Sequence, residues 1–403
     1  MNPQDTPRIS TAALVAAMIP VHLVGAACWF GLYTFVNGYV VSGLGHSDAT
    51  WTAMTLAFTG GLIGWCVLCS SISARIGRVT TVALGLFIGA GCYVAFAFTT
   101  APALLALIMF IASFVIAAVN AAWMPLVAEA GGVRPGRALA LNMIANTIVT
   151  MTLIASLGRL LDGGRFTFCF LVIAAVCLVA AMAFVLMIPA LRAADHAPVL
   201  PLVKLRRDDL SQLARGPFLV LMVLVVLVEP FNFHTVNQLF PNLARSVHGL
   251  SEQTISQIVA FGRLPALATL FGIALVIDRL NVVRAYGGAI LAVALMIAMM
   301  SVVPRAGMLT GTYLLYYLTH GAVWGTNTAA VNATVRPRLR DSAFAITAIV
   351  MMFGQFLAGA MHNRLLAAGC SLPTVFVVSA AIAGGGAVLL IAYTFTAHSR
   401  RTA

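Results

Sequence analysis

The chain has 403 residues, of which 61% are hydrophobic and only 8% charged, where a soluble domain carries roughly a quarter charged residues. Water is therefore excluded as its main solvent. The formal net charge of +12 does not point to nucleic acid, because the basic residues alternate between loops instead of forming one patch.

A helix that crosses a bilayer needs roughly 20 apolar residues, and about twelve such runs can be marked in chain order. The first six are Ala12 to Val36, Trp51 to Ser70, Val79 to Thr99, Ala103 to Leu126, Ala138 to Gly158 and Thr167 to Ala190. The second six are Pro217 to Phe240, Glu252 to Ile277, Val282 to Val303, Met308 to Val331, Ser342 to Leu366 and Pro373 to Thr396. The predicted class is an all-α membrane protein. The first run is too long for the apolar core of a signal peptide and only Arg8 precedes it, so it is expected to be retained.

With the amino terminus inside, Arg75, Arg78, Arg134, Arg137, the basic stretch Arg192 to Arg215, Arg279, Arg284, Arg336, Arg338, Arg340, Arg400 and Arg401 share the inner side. Arg159, Arg165, Arg245, Arg305 and Arg364 fall outside. This asymmetry predicts that both termini are cytoplasmic. Abundant Arg beside the single Lys204, with much Ala, is the composition of a GC-rich bacterial genome and places the protein in the inner membrane. The cysteines lie mostly inside apolar runs and give no disulfide framework; Cys66 and Cys69, spaced C-x-x-C, read as small buried residues.

The longest polar stretch, 191–216, divides the chain into a six-helix half over 1–190 and another over 217–403. Three features recur about 200 residues apart, as a duplication requires. Ser47-Asp48 and Ser251-Glu252 each place a cap and a first-turn acid at a helix start. Val133-Arg134-Pro135 matches Val335-Arg336-Pro337, and the loop Arg75-Ile76-Gly77-Arg78 matches Asp278-Arg279-Leu280-Asn281.

Six plus six helices, a long cytoplasmic middle loop, inner termini and these basic loops together resemble the major facilitator superfamily along essentially the whole chain. The resemblance implies two pseudo-symmetric six-helix bundles. It also implies that the loop residues Arg75, Gly77, Arg78, Asp278 and Arg279 hold a cytoplasmic gate through charge pairs with neighbouring helices. The family pattern G-x-x-x-D-R-x-G-R-K is incomplete, with Ser70, Ala74 and Val79 in the first copy and Asn281 in the second. The proline and glycine pattern of the family's antiporters is absent from the fifth run, which ends Ala155-Ser156-Leu157-Gly158-Arg159.

Ionisable groups at mid-membrane cost about 2.5–3.5 kcal/mol each on insertion scales, so they are candidates for function. His22, Glu229, Arg263 and His320 each lie about 17 Å into their runs. In the tenth run Tyr313, Tyr316, Tyr317, His320, Trp324 and Asn327 share one helical face, which favours lining a cavity over plain packing. His22, Trp29 and Tyr33 repeat the pattern in the first run, where packing and solute contact fit equally. The seventh run is polar on most sides from Glu229 to Gln238, with Asn232 and Asn237 as candidate contacts and Pro230 and Pro241 weakening its ladder. Asn120, Trp123, Asn142, Asn146, Gln355 and His362 are further candidates that interhelical hydrogen bonding also explains. Glu229 and Arg263 have opposite charge at one depth; they form either a permanent pair or a coupling pair in which Glu229 exchanges a proton.

No G-x-x-x-x-G-K-[ST] loop is present, so ATP is not the direct energy source. The reading is a secondary active transporter, not an enzyme, working by alternating access on a small polar organic solute, with protons as the coupling ion and export preferred over uptake. No cofactor, metal or nucleic acid is called for, and a monomer in the lipid bilayer is expected. Two other classes stay open: a membrane sensor that has lost transport, and an intramembrane metal or haem protein using His22, His234, His320 and His362.

Overall fold

The computed structural model describes residues 11–46, 48–132, 134–161, 165–193, 195, 199, 204–250 and 252–402, and every regular element among them is helical. The long segments are α1 (residues 11–43), α2 (Asp48–Ile76), α3 (Arg78–Phe98), α4 (Pro102–Ala130), α5 (Pro135–Leu161) and α6 (Phe166–Arg192). They continue as α7 (Pro217–Ser246), α8 (residues 252–279), α9 (Val282–Val302), α10 (Ala306–Thr334), α11 (Arg340–Ala367) and α12 (Leu372–Thr402). Among the described residues, 10 helices are long and apolar enough to cross a membrane. The other two long segments, α5 and α10, have 27 and 29 residues. The polarity of α10 comes from its Tyr, Thr, His and Asn side chains. Large apolar side chains stand fully out of the protein, among them Leu186 at 83% exposure and Leu275 at 74%; a lipid solvent is what makes such a surface stable.

Local chemistry sets the ends. Gly77, at φ +85°, turns the chain between α2 and α3 in a conformation that costs other residues dearly. Pro102 opens α4 where its missing N–H is harmless, and Asn281 caps α9 by accepting from the Arg284 N–H at 3.2 Å. The caps expected at Ser47 and Ser251 lie outside the described residues.

The chain forms two compact units, residues 1–206 with 337–348 and residues 207–336 with 349–403. The first turns of α11 thus pack with the first unit. Each unit pairs its helices in the same way: α2 on α4 and α3 on α6 in the first, α8 on α10 and α9 on α12 in the second. Missing side chains permit the closest approaches. A Cβ on Gly61 of α2 would fall 2.8 Å from the Phe110 carbonyl of α4, and one on Gly321 of α10 would fall 2.6 Å from the Ala266 carbonyl of α8.

Two departures from regular helix matter for function. Segments Ala27–Val36, Tyr39–Gly43, Val119–Trp123, Met222–Val226 and Thr235–Leu239 are π-helical, in α1, α4 and α7. Such widened turns free backbone carbonyls and are frequent at functional sites; Ala27 of the first accepts a hydrogen bond from the Tyr93 hydroxyl at 2.5 Å. In addition, α7 is interrupted by a turn at Leu227 and Val228, next to the Pro230 expected to weaken its ladder, and α8 by a turn at Gly262 and Arg263, where an unbroken helix was expected.

Candidate functional site

In the first unit the polar contacts within the membrane converge on Asn142 of α5. Its Oδ1 accepts from Trp123 Nε1 at 2.8 Å and meets His22 Nε2 at 2.8 Å, while its amide nitrogen reaches Met124 Sδ at 3.3 Å. An indole N–H can only donate, so Trp123 fixes which way the amide faces. His22 must then carry its hydrogen on Nε2. His22 and Trp123 are buried. The other candidates of this unit are held differently: Asn120 donates to its own helix at Ile116 O, 2.9 Å, and Asn146 accepts from Thr150 Oγ1 at 3.4 Å. Trp29 lies edge-on against Phe58, with centroids 5.8 Å apart. Because residues 27–36 are π-helical, the 3.6-residue spacing that aligned Trp29 and Tyr33 with His22 does not hold there. The Tyr33 side chain lies outside the described residues.

A second centre of this unit surrounds Arg78, 1% exposed at the start of α3. Its Nε and Nη2 donate to the two carboxylate oxygens of Asp341, both at 2.7 Å. Its Nη1 donates to Glu129 at 3.1 Å and to Asp195. The bidentate fork and two further acids compensate a guanidinium that burial alone would make very costly. The loop lacks its own acid at Ala74, and Arg78 finds acids on α4, α11 and the segment after α6 instead. Gly77 supplies the turn that admits Arg78, whereas Arg75, Asp278 and Arg279 are exposed, the last two in the 3-10 turn Ile277–Arg279.

The second unit holds the aromatic face of α10 against α7. His320 is fully buried, stacked between Phe233 (5.8 Å, 23°) and Tyr316 (5.1 Å, 22°), with Trp324 edge-on at 4.8 Å. Tyr313 lies on Phe240 at 4.0 Å and contacts Tyr317 at 5.1 Å. Gly262, in the α8 turn, makes room for this ring, since a Cβ on it would strike Tyr313. Arg263, at that turn, and Glu229, just after the α7 turn, are both buried. The ion pairs found among the described residues are those of Arg78, and a Glu229–Arg263 pair is not among them.

This wall contains buried polar atoms with no hydrogen-bond partner: both ring nitrogens of His320, both amide atoms of Asn232, the hydroxyls of Tyr316 and Tyr286, and Asn327 Oδ1. Native interiors pair nearly all such groups, so their gathering along α7, α9 and α10 sets this region apart from an ordinary packed core. Asn237 is satisfied by Phe233 O of its own helix at 2.9 Å, and Gln355 is half-buried on α11.

Sequence reasoning missed Tyr286, although a lone tyrosine inside the apolar run of α9 was the available signal. It also missed Asp341 and Asp195 as partners of Arg78. A first-turn acid on α11 was visible, but nothing local tied it to a residue so far away in sequence.

The sequence profile of the Major Facilitator Superfamily matches residues 117–359. No curated protein sequence gives a match. Among solved structures, the human organic anion transporter MFSD10 superimposes with a TM-score of 0.70 at 15% identity, covering 97% of this chain and 100% of that one. A proton:xylose symporter gives 0.68 at 14% identity, covering 96% and 95%. A variant of the E. coli fucose:proton symporter gives 0.68 at 13% identity, covering 95% and 97%.

Proposed function

Because the chain belongs to the major facilitator superfamily, whose members are multi-pass membrane transporters and not enzymes, we propose that it carries a small polar organic solute by alternating access, driven by protons. The observation that carries this reading is the wall of α7, α9 and α10, where His320, Asn232, Tyr286 and Tyr316 hold buried hydrogen-bonding atoms without partners. Leaving such groups unpaired costs about 1–3 kcal/mol each, a cost that a bound solute relieves.

Arg263 favours an anionic or zwitterionic solute, and Trp324, Tyr317 and His320 offer rings for its apolar part. Glu229 is the proton carrier: it is a buried acid at a break in α7, and discontinuous helices are where transporters gather ion and substrate sites. The Arg78 cluster is the inner gate, closed while Asp341, Glu129 and Asp195 hold it. The protein lies in the bacterial inner membrane with both termini cytoplasmic, and export is the direction we favour. Uptake is the second reading, favoured by the two proton symporters of like fold.

Reconstitution into proteoliposomes loaded with a pool of metabolites tests this. With a pH gradient imposed, one class of solute should be depleted or accumulated against its own gradient, and the sign gives the direction. A pool that equilibrates no faster than in protein-free vesicles would contradict transport.

A further inference from the structure

Behind the aromatic wall, α7, α11 and α12 enclose a second titratable centre that the proposed transport mechanism leaves unused. His234 Nδ1 lies 3.1 Å from His362 Nδ1, and His362 Nε2 lies 3.1 Å from Thr235 Oγ1 and 2.8 Å from Ser379 Oγ. The Thr235 hydroxyl spends its single hydrogen on Phe231 O at 2.6 Å, so it can only accept from His362. The hydrogen of His362 is thereby placed on Nε2, its Nδ1 is an acceptor, and His234 must donate from Nδ1. His234 Nε2 is left with a lone pair that this network does not use. Gly359 keeps that nitrogen uncrowded, since a Cβ there would stand 3.2 Å from it.

We propose that His234 and His362 form a one-proton relay, separate from Glu229. A proton taken from water at His234 Nε2 makes that ring an imidazolium. Its Nδ1 proton then passes along the existing N–H···N bond to His362 Nδ1, and His362 releases its Nε2 proton through Ser379. Each step moves one proton, no other bond changes, and both rings end in the opposite tautomer. A second proton is refused because two cations would stand 3.1 Å apart. The titratable groups on the surrounding elements are His362 on α11, Tyr286 on α9, His320 on α10 and Glu229 on α7 itself. Of these, His362 is the group within hydrogen-bond distance of His234.

The test is nitrogen NMR of the full-length protein, 15N-labelled at histidine, in lipid nanodiscs over a pH series. His234→Gln and His362→Gln assign the two rings; if either variant fails to fold, through-space contacts to Thr235 and Ser379 assign them in the wild type. Before acidification His234 should be hydrogenated at Nδ1 and His362 at Nε2. On acidification the two rings should shift together with one midpoint and one proton bound, and His362→Gln should move the midpoint of His234. Rings with separate midpoints, the opposite starting tautomers, or no titration while the fold persists would each overturn the relay. None of these readouts requires transport, so they stand apart from the outcome for Glu229.

Discussion

Asn142 has one amide oxygen serving two buried donors, and its side chain is worth more than its size suggests. Asn142→Ala leaves His22 Nε2 and Trp123 Nε1 without an acceptor, and each orphaned donor costs about 1–3 kcal/mol. The variant should melt well below wild type in detergent, and an unchanged melting temperature would contradict the shared-acceptor geometry. Arg78 is a stronger case. Arg78→Ala removes the cation from three acids and should cost about 3–5 kcal/mol, with Asp341→Asn in the same chain restoring part of the loss; equal stability of single and double variants would argue against the cluster. His22, Trp123 and Glu229 were legible as intramembrane polar groups because lipid makes any such group conspicuous. Their partners were not. Hydrogen bonds between residues as far apart as His22 and Asn142 depend on helix packing, which no local pattern encodes.

Among the elements, α10 shows how far periodicity reaches. A 3.6-residue repeat put Tyr313, Tyr316, Tyr317, His320 and Trp324 on one face, and these rings do contact one another. The stripe is not uniform, however: Tyr317 is 1% exposed while Trp324 is only half-buried. Tyr317→Ala should therefore destabilise the protein by about 3–5 kcal/mol, whereas Trp324→Ala should keep near-normal stability and lose solute binding. Near-equal melting temperatures for the two would mean that they share one environment. The π-helical stretches of α1 and α7 and the break in α8 escaped the same reading. An apolar run looks alike in either helix type, and Gly262 is compatible with both a helix and a turn. The Tyr313 ring packed against Gly262 explains why no larger residue stands at that turn. Gly262→Ala should displace that ring and cost about 1–3 kcal/mol, read as a loss of thermal stability.

For the whole molecule, the superfamily was legible from helix count, loop charge and recurring loop motifs, since the bilayer forces each onto the sequence. The same helix pairings recur inside each unit, in keeping with the recurrence of Val133-Arg134-Pro135 as Val335-Arg336-Pro337. The charge asymmetry of the loops makes a definite expectation: a reporter fused after Arg207 should read as cytoplasmic and one near Gly249 as external. The solute itself was not legible, because the proposed site draws single residues from several helices. Whether protons drive its movement rests on Glu229, and one measurement addresses that directly: flux in proteoliposomes under an imposed pH gradient, wild type against Glu229→Gln. The glutamine keeps size and hydrogen bonding but cannot titrate. It should abolish accumulation against a gradient while leaving solute exchange at equal pH intact; a Glu229→Gln protein that still accumulates solute under the pH gradient would contradict proton coupling through this residue.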